Sequence, residues 1–196
     1  MRETIIKILG ESASIKKMIA LSVTDKIADA ARMIIDAYKA GGKVLLIGNG
    51  GSAADAQHMA AELVGRFKRE RAALPAIALT TDTSILTALA NDYGYDTVFS
   101  RQIEALAAAG DILIAISTSG ASPNILRAVE TAKSKGVPVI ALTGKTGGKL
   151  KGIADLTIAV PSDNTPRIQE AHITIEHIIC QLVERELFDE SGSVPG

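Results

Sequence analysis

The sequence predicts a three-layer α/β domain: a doubly wound, five-stranded parallel sheet in the flavodoxin-like order 2-1-3-4-5, with extra helices ahead of the first strand. Three observations carry this. Five short apolar runs, at 44–47, 75–79, 111–116, 137–142 and 155–160, alternate with helical stripes. That alternation implies parallel strands joined by right-handed crossovers. The first and third runs end in unusual polar loops, at 49–52 and 117–122. In this order those two strands are neighbours at the topological switch point, beyond whose carboxyl ends ligands bind. Composition agrees: 47% of the 196 residues are hydrophobic, mostly Ala, Ile, Leu and Val, with no Trp.

The elements follow in order. Ile5, Ile8, Leu9, Ile15, Met18 and Ile19 form a helical stripe over residues 2–20. A second helix is predicted from Thr24, as N-cap, to Ala40, ended by Gly41-Gly42. These two helices have no βαβ role, so their apolar faces cover either the domain or a partner subunit. After the first strand, the glycines of Gly48-Asn49-Gly50-Gly51 allow a tight turn and close approach to a ligand. Ser52 is predicted as the N-cap of the next helix, with Asp55 in the capping-box position. The charged link at 66–71 reads as a solvated turn. A short helix starts at 81–84 and runs out at Asn91-Asp92-Tyr93-Gly94, and another spans 98–108. Ser122-Pro123 reads as an N-cap followed by proline at the first helical position. That helix ends near Lys135-Gly136, and the last helix runs over 165–187.

Residues 1–190 read as one domain, with the N-terminal helices serving oligomer packing, and 191–196 as a disordered tail. A net charge of −1 gives no basic field for nucleic acid. One cysteine, Cys180, rules out an internal disulfide framework and fits a reducing cytoplasm. Lys7 and Glu11 interrupt any signal-peptide core, and no apolar run reaches the ~20 residues of a spanning helix.

The site candidates divide into two groups. A helix start after a glycine turn offers N–H groups and a positive dipole end, which suit an anion. Ser117, Thr118, Ser119 and Ser122 add four hydroxyls, more than one N-cap needs, and hold a phosphate by hydrogen bonds rather than net charge. His58 and Glu62 share one helix face. On the last helix Gln169 and His177 lie ~12 Å apart along nearly one face. His172 lies off that face and reads as a packing or hydrogen-bonding histidine. Two other motifs are set aside. Gly48-x-Gly50-x-x-Ala53 imitates a dinucleotide fingerprint but lacks the acid ~20 residues on. Gly144-Lys145-Thr146 imitates a nucleotide loop, but its leading glycine would fall on Val139.

GNGGSAADAQH, the pair Asn91-Asp92, STSGASPN and RIQEAH with the later EH together resemble the bacterial phosphoheptose (sedoheptulose 7-phosphate) isomerases, of the sugar-isomerase (SIS) domain group. The resemblance covers nearly the whole chain. It implies conversion of D-sedoheptulose 7-phosphate to D-glycero-D-manno-heptose 7-phosphate, the first step towards the heptose of lipopolysaccharide core or related surface glycans. It also implies a cytoplasmic homotetramer with active sites at subunit interfaces. Family phosphate positions fall on Ser52, Ser117, Thr118, Ser119 and Ser122. Sugar positions fall on Asn49, Gly50, Gly51, Asn91, Asp92 and Gln169. Metal ligands, with one zinc per subunit, fall on His58, Glu62, Gln169 and His177. The proton-transfer pair falls on Glu62 as base and His177 as acid.

The chemistry suits those residues. Shifting a carbonyl between C2 and C1 needs a base for a carbon-bound proton and an acid at the oxygens. A zinc-bound carboxylate is a poorer base, so zinc is expected to organise the site or move while Glu62 carries the proton. Gln169 and His177 either stretch towards one metal or come from different subunits. Two rivals share the domain. One is a non-catalytic branch that binds the replication initiator DnaA and lacks the acid of the His-x-x-x-Glu pair and the final histidine. The other is a sugar-phosphate sensor, which needs no Glu62. Glu62 and His177 favour the enzyme.

Overall fold

A computed structural model of the chain describes residues 1–188. The expected tail at 191–196 lies outside the described residues. Five strands, β1 (Val44–Gly48), β2 (Ala76–Ala78), β3 (Ile112–Ser117), β4 (Val139–Thr143) and β5 (Leu156–Ala159), form one sheet in the order β2-β1-β3-β4-β5. Every pairing is parallel, as the alternating sequence pattern requires. Seven α-helices surround it: α1 (Arg2–Ser22), α2 (Thr24–Lys39), α3 (Gly51–Val64), α4 (Thr83–Tyr93), α5 (Ser100–Leu106), α6 (Pro123–Ser134) and α7 (Thr165–Phe188).

The side-chain alternation of the strands divides the core in two. Val44, Leu46, Ile112, Ile114, Ile140 and Leu142 face α1, α2, α3 and α7. Leu45, Ile47, Leu113, Ala115, Val139 and Ala141 face the opposite layer, which includes α5 and α6. Burial on both faces explains the uninterrupted apolar runs. The consequence for function is that α3 and α7 lie on the same face. Register matters too: Gly48 stands opposite Ile116, so the loops after β1 and β3 leave the sheet at one level.

Three sequence expectations are corrected, two of them about helix starts. Thr24 does not cap α2. Val23 is the only residue between α1 and α2, and Thr24 Oγ1 donates to Ala20 O, a carbonyl of the last turn of α1. Ser52 does not cap α3 either. The turn is tight enough that Ser52 N–H already bonds Asn49 O and Ala53 N–H bonds Gly50 O. Gly50, at φ 56°, occupies the cap, a conformation that favours glycine. With no cap at Ser52 there is no capping box, and Asp55 Oδ2 is buried without a partner.

The link at 66–71 is the third correction. It is not simply solvated. The Arg71 and Glu184 side chains are 2% and 3% exposed and pair at 3.0 Å. Glu184 also accepts the N–H groups of Phe67, Lys68 and Arg69. Burial pushes its carboxyl up, but these N–H donors and the Arg71 guanidinium outweigh that and hold it below the usual range.

Candidate active site

The site begins at the end of β1. Beyond Gly50, α3 starts with Gly51, and the Gln169 side chain packs against that glycine. A Cβ at position 51 would meet Gln169 Nε2 at 2.4 Å. Glycine therefore lets α7 bring Gln169 against the start of α3. Asn49, Ser52, Ser117, Thr118, Ser122 and Gln169 line a cavity of about 70 Å³. Ser122 is the N-cap of α6 as expected, with Pro123 next, but its side chain makes no capping bond. Its hydroxyl instead stands 3.3 Å from that of Ser117. Both hydroxyls thus remain at the cavity.

Ser119 sits differently. It lines a neighbouring cavity of about 220 Å³ with Lys145 and Asp163, and Thr118 lines both cavities. The Ser119 hydroxyl accepts the Ala121 N–H. Asn91 and Asp92 lie at the end of α4, where Asn91 Nδ2 donates to Asp92 Oδ1 at 2.8 Å. Both are exposed, and α4 has no buried residue.

Further along α3 and α7, three side chains converge. His58 Nε2 stands 2.9 Å from His177 Nε2 and 3.2 Å from Glu62 Oε1. One ligand atom from each of the three lies within 4.8 Å of the others. Two imidazole nitrogens facing each other at this distance need a proton or a cation between their lone pairs. Neighbouring ligand atoms of a tetrahedral zinc site are about 3.3 Å apart, so this donor set fits such an ion. The His58 and Glu62 side chains are 46% and 24% exposed, so the cluster opens to the surface.

Phe67 stacks on His177, with ring centroids 5.6 Å apart and planes at 28°. It is placed there by the Glu184 knot, and Arg71 in turn donates to the carbonyls of Glu62 and Leu63. The one aromatic among the charged residues of 66–71 was the signal for this contact. His172 is fully buried, with Nε2 3.1 Å from Thr143 O. Burial lowers its pKa to about 4 against the opposing pull of the Thr143 carbonyl, and a packing role matches its position off the site face. Glu176, fully buried beside His177, has neither oxygen hydrogen-bonded. Burial first, and then the Asp55 charge, pushes it to about 8.

The two groups have a simple relation. Gly51 touches Gln169, and His58 touches His177. Those steps of seven and eight residues mean that α3 and α7 run in the same direction side by side. The hydroxyl cavity and the His–Glu–His cluster are therefore separated by about two turns, roughly 11 Å along the helices.

Comparison with known proteins gives the class first: the SIS domain family matches residues 9–144. The chain is 67% identical over 162 residues to a phosphoheptose isomerase of Citrifermentans bemidjiense, covering 83% of this chain and 84% of that one. It is 56% identical to the phosphoheptose isomerase of Aquifex aeolicus, over 97% of this chain and 100% of that one. A solved phosphoheptose isomerase from Neisseria gonorrhoeae superposes with a TM-score of 0.89 at 44% identity, covering 93% of this chain and 98% of that one. The chain belongs to the phosphoheptose isomerase family.

Proposed function

We propose that the protein isomerises D-sedoheptulose 7-phosphate to D-glycero-D-manno-heptose 7-phosphate. The observation that carries this is the His58–Glu62–His177 cluster standing two helical turns from the hydroxyl cavity. That separation is comparable to the length of an extended seven-carbon sugar phosphate. The cavity takes the phosphate, through Ser52, Ser117, Thr118 and Ser122, with Ser119 approaching from the adjoining space. Asn49, Gly50, Gly51 and Gln169 line the way towards C1, and Asn91 and Asp92 contact the sugar hydroxyls. Binding the remote phosphate fixes the reacting carbons beside the proton-transfer groups.

The proton bookkeeping then closes. Glu62 takes the proton from C1, and that electron pair becomes the C1=C2 bond. The C2 carbonyl oxygen receives a proton from His177, giving the enediol. His177, deprotonated by that step, takes the O1 proton as the C1 aldehyde forms, while Glu62 returns its proton to C2, so both groups end as they began. His58, Glu62 and His177 would hold the zinc of the family resemblance, one ion per subunit. Bound there, it would supply a Lewis acid for the substrate oxygens. Within a chain Gln169 lines the cavity and packs on Gly51, and its part as a fourth metal ligand rests on the family resemblance.

A homotetramer is part of the same reading. Ile5, Ile6, Ile8, Leu9, Met18 and Leu21 leave α1 apolar and exposed. An apolar groove of about 460 Å³ lies between α1, α2 and α7. No helix among the described residues is long and apolar enough to cross a membrane, and we place the enzyme in the cytoplasm, at the first step of heptose precursor synthesis for lipopolysaccharide core or surface glycans. NMR of the product formed from sedoheptulose 7-phosphate, with and without a chelator, tests the activity. An aldose heptose 7-phosphate is expected. No turnover, together with capture of the initiator DnaA, would favour the non-catalytic rival.

A further inference from the structure

We infer that Asn124 is a positioning residue for this reaction: it fixes the side-chain amide of Asn49 and thereby the hydrogen-bonding atoms that the β1 loop offers the sugar. Asn49 Nδ2 donates to Asn124 Oδ1 at 2.9 Å, and Asn124 Nδ2 donates back to Asn49 Oδ1 at 2.9 Å. The Tyr95 hydroxyl donates to the same Asn49 oxygen at 3.4 Å. Asn124 is 2% exposed, so its amide has been withdrawn from water to make this pair.

A primary amide has two N–H donors and a carbonyl oxygen with two lone pairs. The reciprocal pair uses one donor and one lone pair on each residue. Tyr95 takes the second lone pair of Asn49. One N–H of Asn49 is left, so Asn49 meets a ligand as a donor only. Flipping its amide would set N–H against N–H and oxygen against oxygen across the pair. Asn124 therefore bars Asn49 from flipping alone. A fixed donor suits the oxygens of a phosphorylated sugar, and Asn49 lines the hydroxyl cavity with Ser52 and Ser122.

The placement has a topological reason. Asn49 follows β1 and Asn124 is the second residue of α6, after β3. The amide pair therefore ties the two strand ends together at the switch point. It also couples the start of α6, and with it Ser122, to the β1 loop. The sequence placed Asn124 at the end of the STSGASPN motif but gave it no role, because a polar residue in the first turn of a helix is ordinary.

The inference rests on the isomerase reading, and a double-mutant cycle separates the two. Asn124→Ala is expected to lower kcat/KM for sedoheptulose 7-phosphate about tenfold, mainly through KM. In an Asn49→Ala background the same change should alter kcat/KM less than twofold, because the residue through which Asn124 acts is gone. Equal losses in both backgrounds, or no loss in either, overturn the assignment, since a general structural defect would not depend on Asn49. Asn124→Asp keeps the shape, removes the donor and serves if alanine impairs folding. Calorimetric Kd values for sedoheptulose 7-phosphate on the same four proteins complete the test. An inactive wild type whose Kd values still show the non-additive cycle overturns the isomerase reading alone. An active wild type with an additive cycle overturns the Asn124 assignment alone. Neither binding nor turnover overturns both.

Discussion

In the proposed mechanism Glu62 is the residue on which the chemistry turns. Glu62→Gln keeps its shape and removes its basicity, so isomerisation of sedoheptulose 7-phosphate should fall by roughly a thousandfold, since general base catalysis typically contributes 10²–10⁴-fold. Retained activity by NMR would refute the base assignment. His172 gives a prediction about stability rather than rate. Its folded pKa is lowered by burial to about 4 from the usual 6.5 of a histidine, so the unfolded chain binds the proton more readily. The stability held above pH 6.5 is therefore lost as pH falls through 4, by about 3 kcal/mol in total. His172→Gln retains a donor for the Thr143 carbonyl and cannot be charged. Its melting temperature should fall less than that of the wild type between pH 6.5 and 4.5. Equal slopes would contradict the burial argument. His172 and His177 were both visible on the last helix in the sequence, and helical spacing alone separated their faces. What the sequence could not show was that His58 and His177, 119 positions apart, come within hydrogen-bonding distance.

The elements that bring them together are α3 and α7, and the link at 66–71 holds both. Arg71 binds the last carbonyls of α3, while Glu184 of α7 gathers the backbone of the link. Arg71→Met would leave the Glu184 carboxylate buried without its cation. Losing one partner of a buried pair costs about 3–5 kcal/mol, which corresponds to a fall in melting temperature of roughly 10 °C for a chain of this size. Activity should fall further than stability explains, because Glu62 and Phe67 lose their anchor. Thermal unfolding by circular dichroism, with kcat measured well below the transition, checks both. Strand order and helix number were legible because apolar runs and polar breaks alternate so regularly. The cap at Ser52 was misread because four consecutive turn-forming residues let the helix begin two residues earlier than a cap at Ser52 would allow. The buried Arg71 was misread because charge in a short link looks like solvation until its long-range partner, Glu184, is known.

At the scale of the whole molecule, one chain leaves both the His–Glu–His cluster and the α1 face open. If the α1 face packs the proposed homotetramer, Ile5→Asp with Leu9→Asp should convert it to smaller species on size-exclusion chromatography with light scattering. Turnover should fall with the loss of assembly if active sites span subunits. An unchanged tetramer, or a fully active monomer, would contradict the interfacial site. The sequence showed this face only as an apolar stripe without a sheet to cover, and a stripe does not name its partner. The most direct test of the central claim is a structure of the assembled Glu62→Gln protein with sedoheptulose 7-phosphate bound. We expect the phosphate among Ser52, Ser117, Ser119 and Ser122, with C1 within reach of residue 62 and His177. A phosphate held elsewhere, or C1 in a separate cavity from residue 62 with every subunit in place, would contradict it.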